Sequence, residues 1–349
     1  MLAIDIETYS SIDLIKCGVY AYTESEDFEI LLFAYAYDDN PVEIIDLACD
    51  EKLPQTVIED LINPNIVKTA FNSNFERTCL AKYLNKLMLP EQWRCSAVHS
   101  LELGLPTSLD KVAKCMNLEQ QKMSEGKALL RYFSMPCKPT KSNNGRTRNL
   151  PEHDREKWEI FKRYCKQDVE VERTIRKKLD RYPVTDNEWK LWALDQKIND
   201  SGVKIDKALV HNAIKCDEGH QKKMVKEAEN LTQLENPNSP VQLKKWLQTK
   251  GFKVESLSKE KVKELLGEVE DPSVKRMLKI RQELSKTSVK KYEAMKRAMC
   301  HDERVRGLMK FYGANRTGRW SSKLVQTQNL PRNNMDNLGD ARIDRKSVV

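Results

Sequence analysis

The sequence contains no C-x-x-C pair, and its nine cysteines are an odd number scattered over 349 residues. Neither a disulfide framework nor a structural zinc site is indicated, so the thiols are read as reduced and mostly buried. Also missing is any run of about 18 apolar residues, the length a membrane-spanning helix needs. The longest apolar stretch, Ile30 to Tyr37, suits a buried strand, and the mean hydropathy is −0.66. No charged segment followed by an apolar core opens the chain, because strand-like residues begin at Met1 and Asp5 interrupts them. A cytoplasmic protein is expected. Charge of one sign is barely in excess: 60 Lys and Arg against 52 Asp and Glu give +8. That balance permits a polyanionic partner without requiring one.

What is present falls into segments. Leu2 to Ile6, Phe28 to Tyr37 and Val42 to Asp46 read as strands, with Asp38-Asp39-Asn40-Pro41 turning between the last two. They predict three adjacent antiparallel strands. Leu53 to Leu61 then reads as a helix, Ile66 to Phe71 as a strand, and Phe75 to Met88 as a helix with apolar positions at Leu80, Tyr83, Leu84 and Leu87. Strands followed by helix, strand and helix imply an α/β layered domain. Residues 135–151 are rich in Pro, Lys, Asn and Arg, which marks an exposed basic loop. Helix resumes from His153 to about Arg181, and Pro183 and Thr185 close the first domain. Residues 186–300 are helical in pattern and crowded with Lys and Glu, as expected of solvated faces. The Asn-Pro-Asn-Ser-Pro stretch at 236–240 splits them into two long arms. From Gly307 the composition turns to Gly, Arg, Gln and Asn.

Asp5 and Glu7 stand two apart on a strand, so both leave the same face of the sheet. Two carboxylates so placed repel each other unless a cation sits between them, or unless the strand end is bathed in water. Leu2, Ile4 and Ile6 alternate with Ala3, Asp5 and Glu7, which puts the acids on one side of an inner strand. Glu76 lies in the first turn of a helix, and Ser73-Asn74-Phe75-Glu76 also has the form of a capping box. Tyr164 and Asp168 are spaced i, i+4 and share one helix face, an ordinary arrangement for surface neighbours. Each feature alone has a bland explanation.

Jointly, the segments Asp5-Ile6-Glu7-Thr8, Asn72-Ser73-Asn74-Phe75-Glu76 and Tyr164-Cys165-Lys166-Gln167-Asp168 resemble the DEDD exonuclease superfamily, in its tyrosine-bearing branch. The resemblance implies a ribonuclease H-like fold and 3′→5′ exonuclease activity. It implies a pair of Mg²⁺ ions, or Mn²⁺, roughly 3.5–4 Å apart that activate water and stabilise the leaving 3′ oxygen. Asp5 would bridge them, Glu7 and Asp168 would bind the nucleophile-side ion, and Glu76 would approach the second through water. Tyr164 would orient the attacking water, and Thr8 and Asn72 would touch the terminal nucleotide. Glu76 stands where the family usually carries Asp, which moves the carboxylate by roughly 1.5 Å, one C–C bond. Lys138, Lys141, Arg146 and Arg148 of the basic loop could follow the phosphates of a strand.

Trp189 to Asp206 resembles the entry to the thumb of family A DNA polymerases of phage type. Tyr312-Gly313-Ala314-Asn315-Arg316-Thr317-Gly318-Arg319-Trp320-Ser321-Ser322 and Gln326-Thr327-Gln328-Asn329-Leu330-Pro331-Arg332 resemble the template-primer motif of that family. Arg316, Arg319 and Arg332 can meet phosphates, and the amides of Gln328 and Asn329 can serve minor-groove acceptors that every base pair presents. With Thr317 these residues are expected to hold DNA without reading its sequence. The expected partners are a single-stranded 3′ end and primer-template DNA, in the cytoplasm of a phage-infected or prophage-bearing cell.

The expected organisation is an α/β, ribonuclease H-like exonuclease domain with a mixed sheet flanked by helices at 1–183. A mainly α-helical thumb region at 184–306 and an incomplete palm start at 307–343 follow. The nucleotidyl-transfer acids of the palm are not in the sequence. Residues 344–349 read Asp-Arg-Lys-Ser-Val-Val, the translation of a common sequencing adapter, GATCGGAAGAGCGTCGTGTAG. A reading frame truncated before the palm motifs, with an adapter-derived tail, is expected. Two other readings stay open: a ribonuclease D-like RNA exonuclease with helical nucleic-acid-binding domains, and a DNA-binding scaffold without activity.

Overall fold

The computed structural model describes residues 1–118, 125–285, 289–330 and 337. Strand β1 (Leu2–Tyr9) occupies the centre of a five-stranded sheet, pairing antiparallel with β2 (Glu29–Tyr37), which pairs antiparallel with β3 (Glu43–Asp46). On its other edge β1 runs parallel to β4 (Lys68–Ala70), and β4 runs parallel to β5 (Trp93–Cys95), giving the order β3-β2-β1-β4-β5. The three antiparallel strands read from the sequence are therefore neighbours. β1 continues past Ile6 to Tyr9, with a register shift between Glu7 and Thr8.

The period of two along β1 sorts its side chains onto two cores. Leu2, Ile4 and Ile6 join Phe33 and Tyr35 against α2 (Gln55–Ile62) and α3 (Asn74–Leu84) through Val57, Leu61 and Leu80. On the opposite face Ala3 and Tyr9 meet α6 (Gly126–Phe133) and α7 (Arg155–Leu179) through Phe133, Trp158, Phe161 and Cys165. Each large apolar side chain buried this way contributes about 1.5–3 kcal/mol. A mixed α/β fold with helices on both sides of the sheet is the result. α3 stops at Leu84, short of the expected Met88, because Asn85 adopts the left-handed conformation (φ 49°) that ends helices. Asp154 starts α7 by accepting a hydrogen bond from the Lys157 amide.

Shorter elements had no counterpart in the sequence reading. These are α1 (Leu14–Thr23), capped by Asp13 and bent at Gly18 (φ +79°), α4 (Ser96–Glu102), α5 (Leu109–Cys115) and β5. α8 (Asp186–Ser201) begins where Thr185 caps the Glu188 amide.

The chain forms two compact units, and they do not follow the sequence boundaries at 183/184 and 306/307. One comprises Met1–Ile205 with Arg297–Gln328; the other comprises Asp206–Lys296 with Asn329–Val349. α8 therefore groups with the sheet, as do β6 (Val203–Lys204) and β7 (Arg304–Val305), which pair with each other. So does the hairpin of β8 (Met309–Ala314) and β9 (Arg319–Ser322).

The second unit corrects the expectation of two long arms. α9 (Lys207–Thr232) is followed by α10 (Pro240–Thr249), α11 (Lys259–Glu268), α12 (Pro272–Leu284) and α13 (Lys290–Ala298), the last crossing the boundary between units. Ser239, Ser258 and Asp271 each accept from amides of the next helix, so capping residues restart the helix repeatedly. Leu243, Leu247, Val262, Val274 and Met277 form the core of this unit. α9 buries only Val210, Ala213, Ala228 and Thr232, in keeping with its Lys- and Glu-rich composition. No described helix is long and apolar enough to cross a membrane. Arg332 and residues 344–349 lie outside the described residues.

Candidate nuclease site

Asp5 sits at the middle of β1, on the face that packs against α7. The Cys165 thiol lies 3.4 Å from its Oδ2, close enough to donate a hydrogen bond. One turn along α7 from Tyr164, Asp168 is buried, and its carboxylate charge acts on the Tyr164 phenol. Tyr164 is 1% exposed and stacks on Phe161, with ring centroids 6.1 Å apart and planes 11° apart. Burial, then the charges of Glu7, Asp168 and Asp5, push its pKa up, so the phenol keeps its proton. Glu7 is buried beside it on β1. The pair Tyr164 and Asp168, ordinary surface neighbours by spacing alone, is interior.

Glu76 reaches the same acids from the first turn of α3. It is 4% exposed, and its Oε2 is buried without a hydrogen-bond partner. Ser73 has helical backbone angles and makes no side-chain cap bond, so the capping-box form of the sequence is not realised. Burial first, then the charge of Asp5 and that of Glu172, raise the pKa of Glu76 well above the ordinary carboxylate value.

The fold thus brings Asp5, Glu7, Tyr164 and Asp168 together from β1 and α7, with Glu76 facing Asp5 from α3. Hard carboxylate oxygens of this kind suit Mg²⁺ or Mn²⁺. Among the described residues, however, no three His, Cys, Asp or Glu side chains stand as a group that could hold a metal ion. The buried, unpartnered Oε2 of Glu76 is an oxygen that a cation could take up.

Residues absent from the sequence reading support the site. Glu172, one further turn along the Tyr164 and Asp168 face of α7, is buried and accepts a hydrogen bond from the Ser96 hydroxyl. Its i, i+4 spacing from Asp168 was a readable signal. Gly126 lies flat on the Tyr164 ring, where a Cβ would come within 2.7 Å of Cδ2. No sequence pattern announces that approach.

Other expected residues are placed as follows. Thr8 shares a 2.9 Å hydrogen bond with the Tyr22 hydroxyl and is buried, so its oxygen already has a partner. Asn72 takes a left-handed conformation (φ 78°) between β4 and α3 and lines a cleft. That cleft, about 670 Å³, also contains Asp5 and Asp168, and is walled by Phe75, Trp192 and Phe311. Arg316 and Thr317 are exposed in the β8–β9 turn, Arg319 is exposed at the start of β9, and Gln328 and Asn329 are exposed beyond it. In the basic loop Arg148 is engaged within the protein. It pairs with Glu29 and lies 3.8 Å over the Tyr9 ring, which removes it from the cations open to a strand.

No protein-family model matches the chain. It is 60% identical over 341 residues to the DNA polymerase of Bacillus phage SP02, an alignment that covers 98% of this chain and 53% of that protein. The chain spans about half the length of this relative. Among solved structures, the POL domain of Pol1 from M. smegmatis, in complex with DNA primer-template and dNTP, matches with a TM-score of 0.54 at 13% identity. That match covers 98% of this chain and 53% of that one, a likeness of fold. Over nearly all of its length, then, the chain is a close homologue of a phage DNA polymerase.

Proposed function

We propose that the chain carries the 3′→5′ exonuclease and DNA-holding parts of a family A DNA polymerase, and that it removes nucleoside monophosphates from a 3′ end. The observation that carries this reading is the meeting of Asp5 and Asp168, from segments about 160 residues apart, at one cleft, with the Cys165 thiol of α7 reaching the Asp5 carboxylate of β1. Asp5, Glu7, Glu76 and Asp168 are the residues that would hold divalent cations. A bound cation pair would supply activation of water and neutralise charge developing on the phosphodiester. Tyr164, kept protonated, donates or accepts a hydrogen bond at the attacking water and fixes its direction. Cys165 holds the Asp5 carboxylate in place. Exposed Arg316, Thr317 and Arg319, with Gln328 and Asn329, would meet the duplex of a primer-template.

The deciding assay follows nucleotide release from a 3′-labelled single-stranded oligodeoxynucleotide. Release with Mg²⁺, abolished by EDTA, is expected. Faster digestion of RNA than of a mismatched primer terminus would favour the ribonuclease D-like reading, and no release from either would favour a scaffold.

A further inference from the structure

Lys310 on β8 and Lys323, just after β9, line the same cleft as Asp5 and Asp168. The two lysines sit on adjoining strands, Lys310 opposite Ser321 and the Lys323 amide bonded to the Leu308 carbonyl at 2.8 Å. Lys323 is open to water, yet the surrounding protein and the charge of Lys310 lower its pKa. That combination describes a cation on the floor of a concave, wet cleft rather than one on a convex surface. Asp195 is the carboxylate that opposes this effect. Both of its oxygens are already taken, Oδ1 by the Trp320 indole at 2.7 Å and Oδ2 by Gln196 at 2.9 Å and Asn199 at 3.0 Å. Neither lysine has an ion-pair partner among the described residues. The charges of the two lysines repel, Asp195 offsets this only in part, and an anion from outside would relieve the rest.

We infer that Lys310 and Lys323 form a binding site for one backbone phosphate of a single DNA strand whose 3′ end lies at Asp5 and Asp168. Phe75, partly exposed on the cleft wall, gives an intervening base a surface to stack on. Two point charges sharing a phosphate hold a strand without reading its sequence. The inference rests on the proposal that a 3′ end enters this cleft, and not on its hydrolysis.

The test is binding of fluorescein-labelled oligothymidylate in EDTA, across a salt series, to the full chain and to Lys310→Gln, Lys323→Gln, the double Gln variant and the double Arg variant. Thermal melts confirm that each variant is folded. The double Gln variant should bind roughly tenfold more weakly at low salt. Its slope of log K against log salt should fall by about 0.7, the value for one phosphate on single strands. The double Arg variant should keep wild-type affinity and slope. Unchanged affinity and slope in the double Gln variant would overturn the inference, as would equal weakening in the double Arg variant, which points to shape instead of charge. Full hydrolysis by Asp5→Ala, with the lysine effect intact, would sink the exonuclease reading and leave this site standing. An inactive Asp5→Ala with normal binding by the double Gln variant would do the reverse.

Discussion

Gly126, the first residue of α6, is in contact with the ring of Tyr164 so closely that no side chain fits between them; a Cβ there would come within 2.7 Å of Cδ2. Tyr164 is itself clamped from behind by Phe161. Its hydroxyl is therefore aimed by a glycine on one side and an aromatic ring on the other.

Gly126→Ala should therefore move the Tyr164 ring and slow hydrolysis by up to about a hundredfold, the effect of a small misplacement of an orienting group. Overpacking should also cost about 1–3 kcal/mol of stability. Single-turnover release from a 3′-labelled strand, alongside urea unfolding, checks both. Tyr164→Phe should show the loss of rate without the loss of stability. Wild-type turnover in the alanine variant would mean that the ring position does not matter.

The acids at this site were legible to different degrees. The D-x-E spacing within an alternating strand put Asp5 and Glu7 on one face, and the charges of both act on Tyr164 and Cys165 of α7. Glu76 was ambiguous, because an S-x-x-E segment can cap a helix; only the helical backbone of Ser73 and the unpartnered Glu76 Oε2 distinguish the cases. Gly126 and Cys165 work through contacts between distant segments, which local pattern does not encode. β5, three residues long, is too short to show a period, and α1 is broken at Gly18. The grouping of Arg297–Gln328 with the sheet was hidden for the same reason: its partners, such as Asn199 with Met309, are about a hundred residues away.

Arg77, the neighbour of Glu76, carries a second expectation. Its buried guanidinium meets Asp200 of α8 through two bonds, of 2.9 and 2.6 Å, and donates to the Met88 carbonyl. Asp200 also accepts from the Tyr20 hydroxyl at 2.7 Å. Asp200→Ala leaves a buried cation without its carboxylate and should cost about 3 kcal/mol. Denaturant unfolding measures the loss; a change under about 0.5 kcal/mol, the range of ordinary surface substitutions, would contradict the ion pair.

Lys68, fully buried in β4, donates to the Asn63 carbonyl at 2.7 Å and to Gln92 Oε1 at 3.2 Å. Burial lowers its pKa from 10.5 to about 8. The unfolded chain then binds more protons than the folded one between those values, so the contribution of Lys68 to stability should rise with pH across that window. At about 1.36 kcal/mol per pH unit the gain approaches about 3 kcal/mol. Unfolding of the wild type and Lys68→Met at pH 7 to 10.5 should show their difference shifting toward the wild type as pH rises. A constant difference would mean that Lys68 has an ordinary pKa.

Asp5, met by the Cys165 thiol of α7 on the central strand, is the residue on which the account depends. The direct measurement is release of 3′-labelled nucleotide by the wild type and by Asp5→Ala, each with Mg²⁺ and with EDTA. Release by the wild type with Mg²⁺ alone, and none by Asp5→Ala while it still binds the strand, is the expected result. Equal release by both proteins, or release that EDTA does not stop, would contradict a carboxylate-held metal site at Asp5.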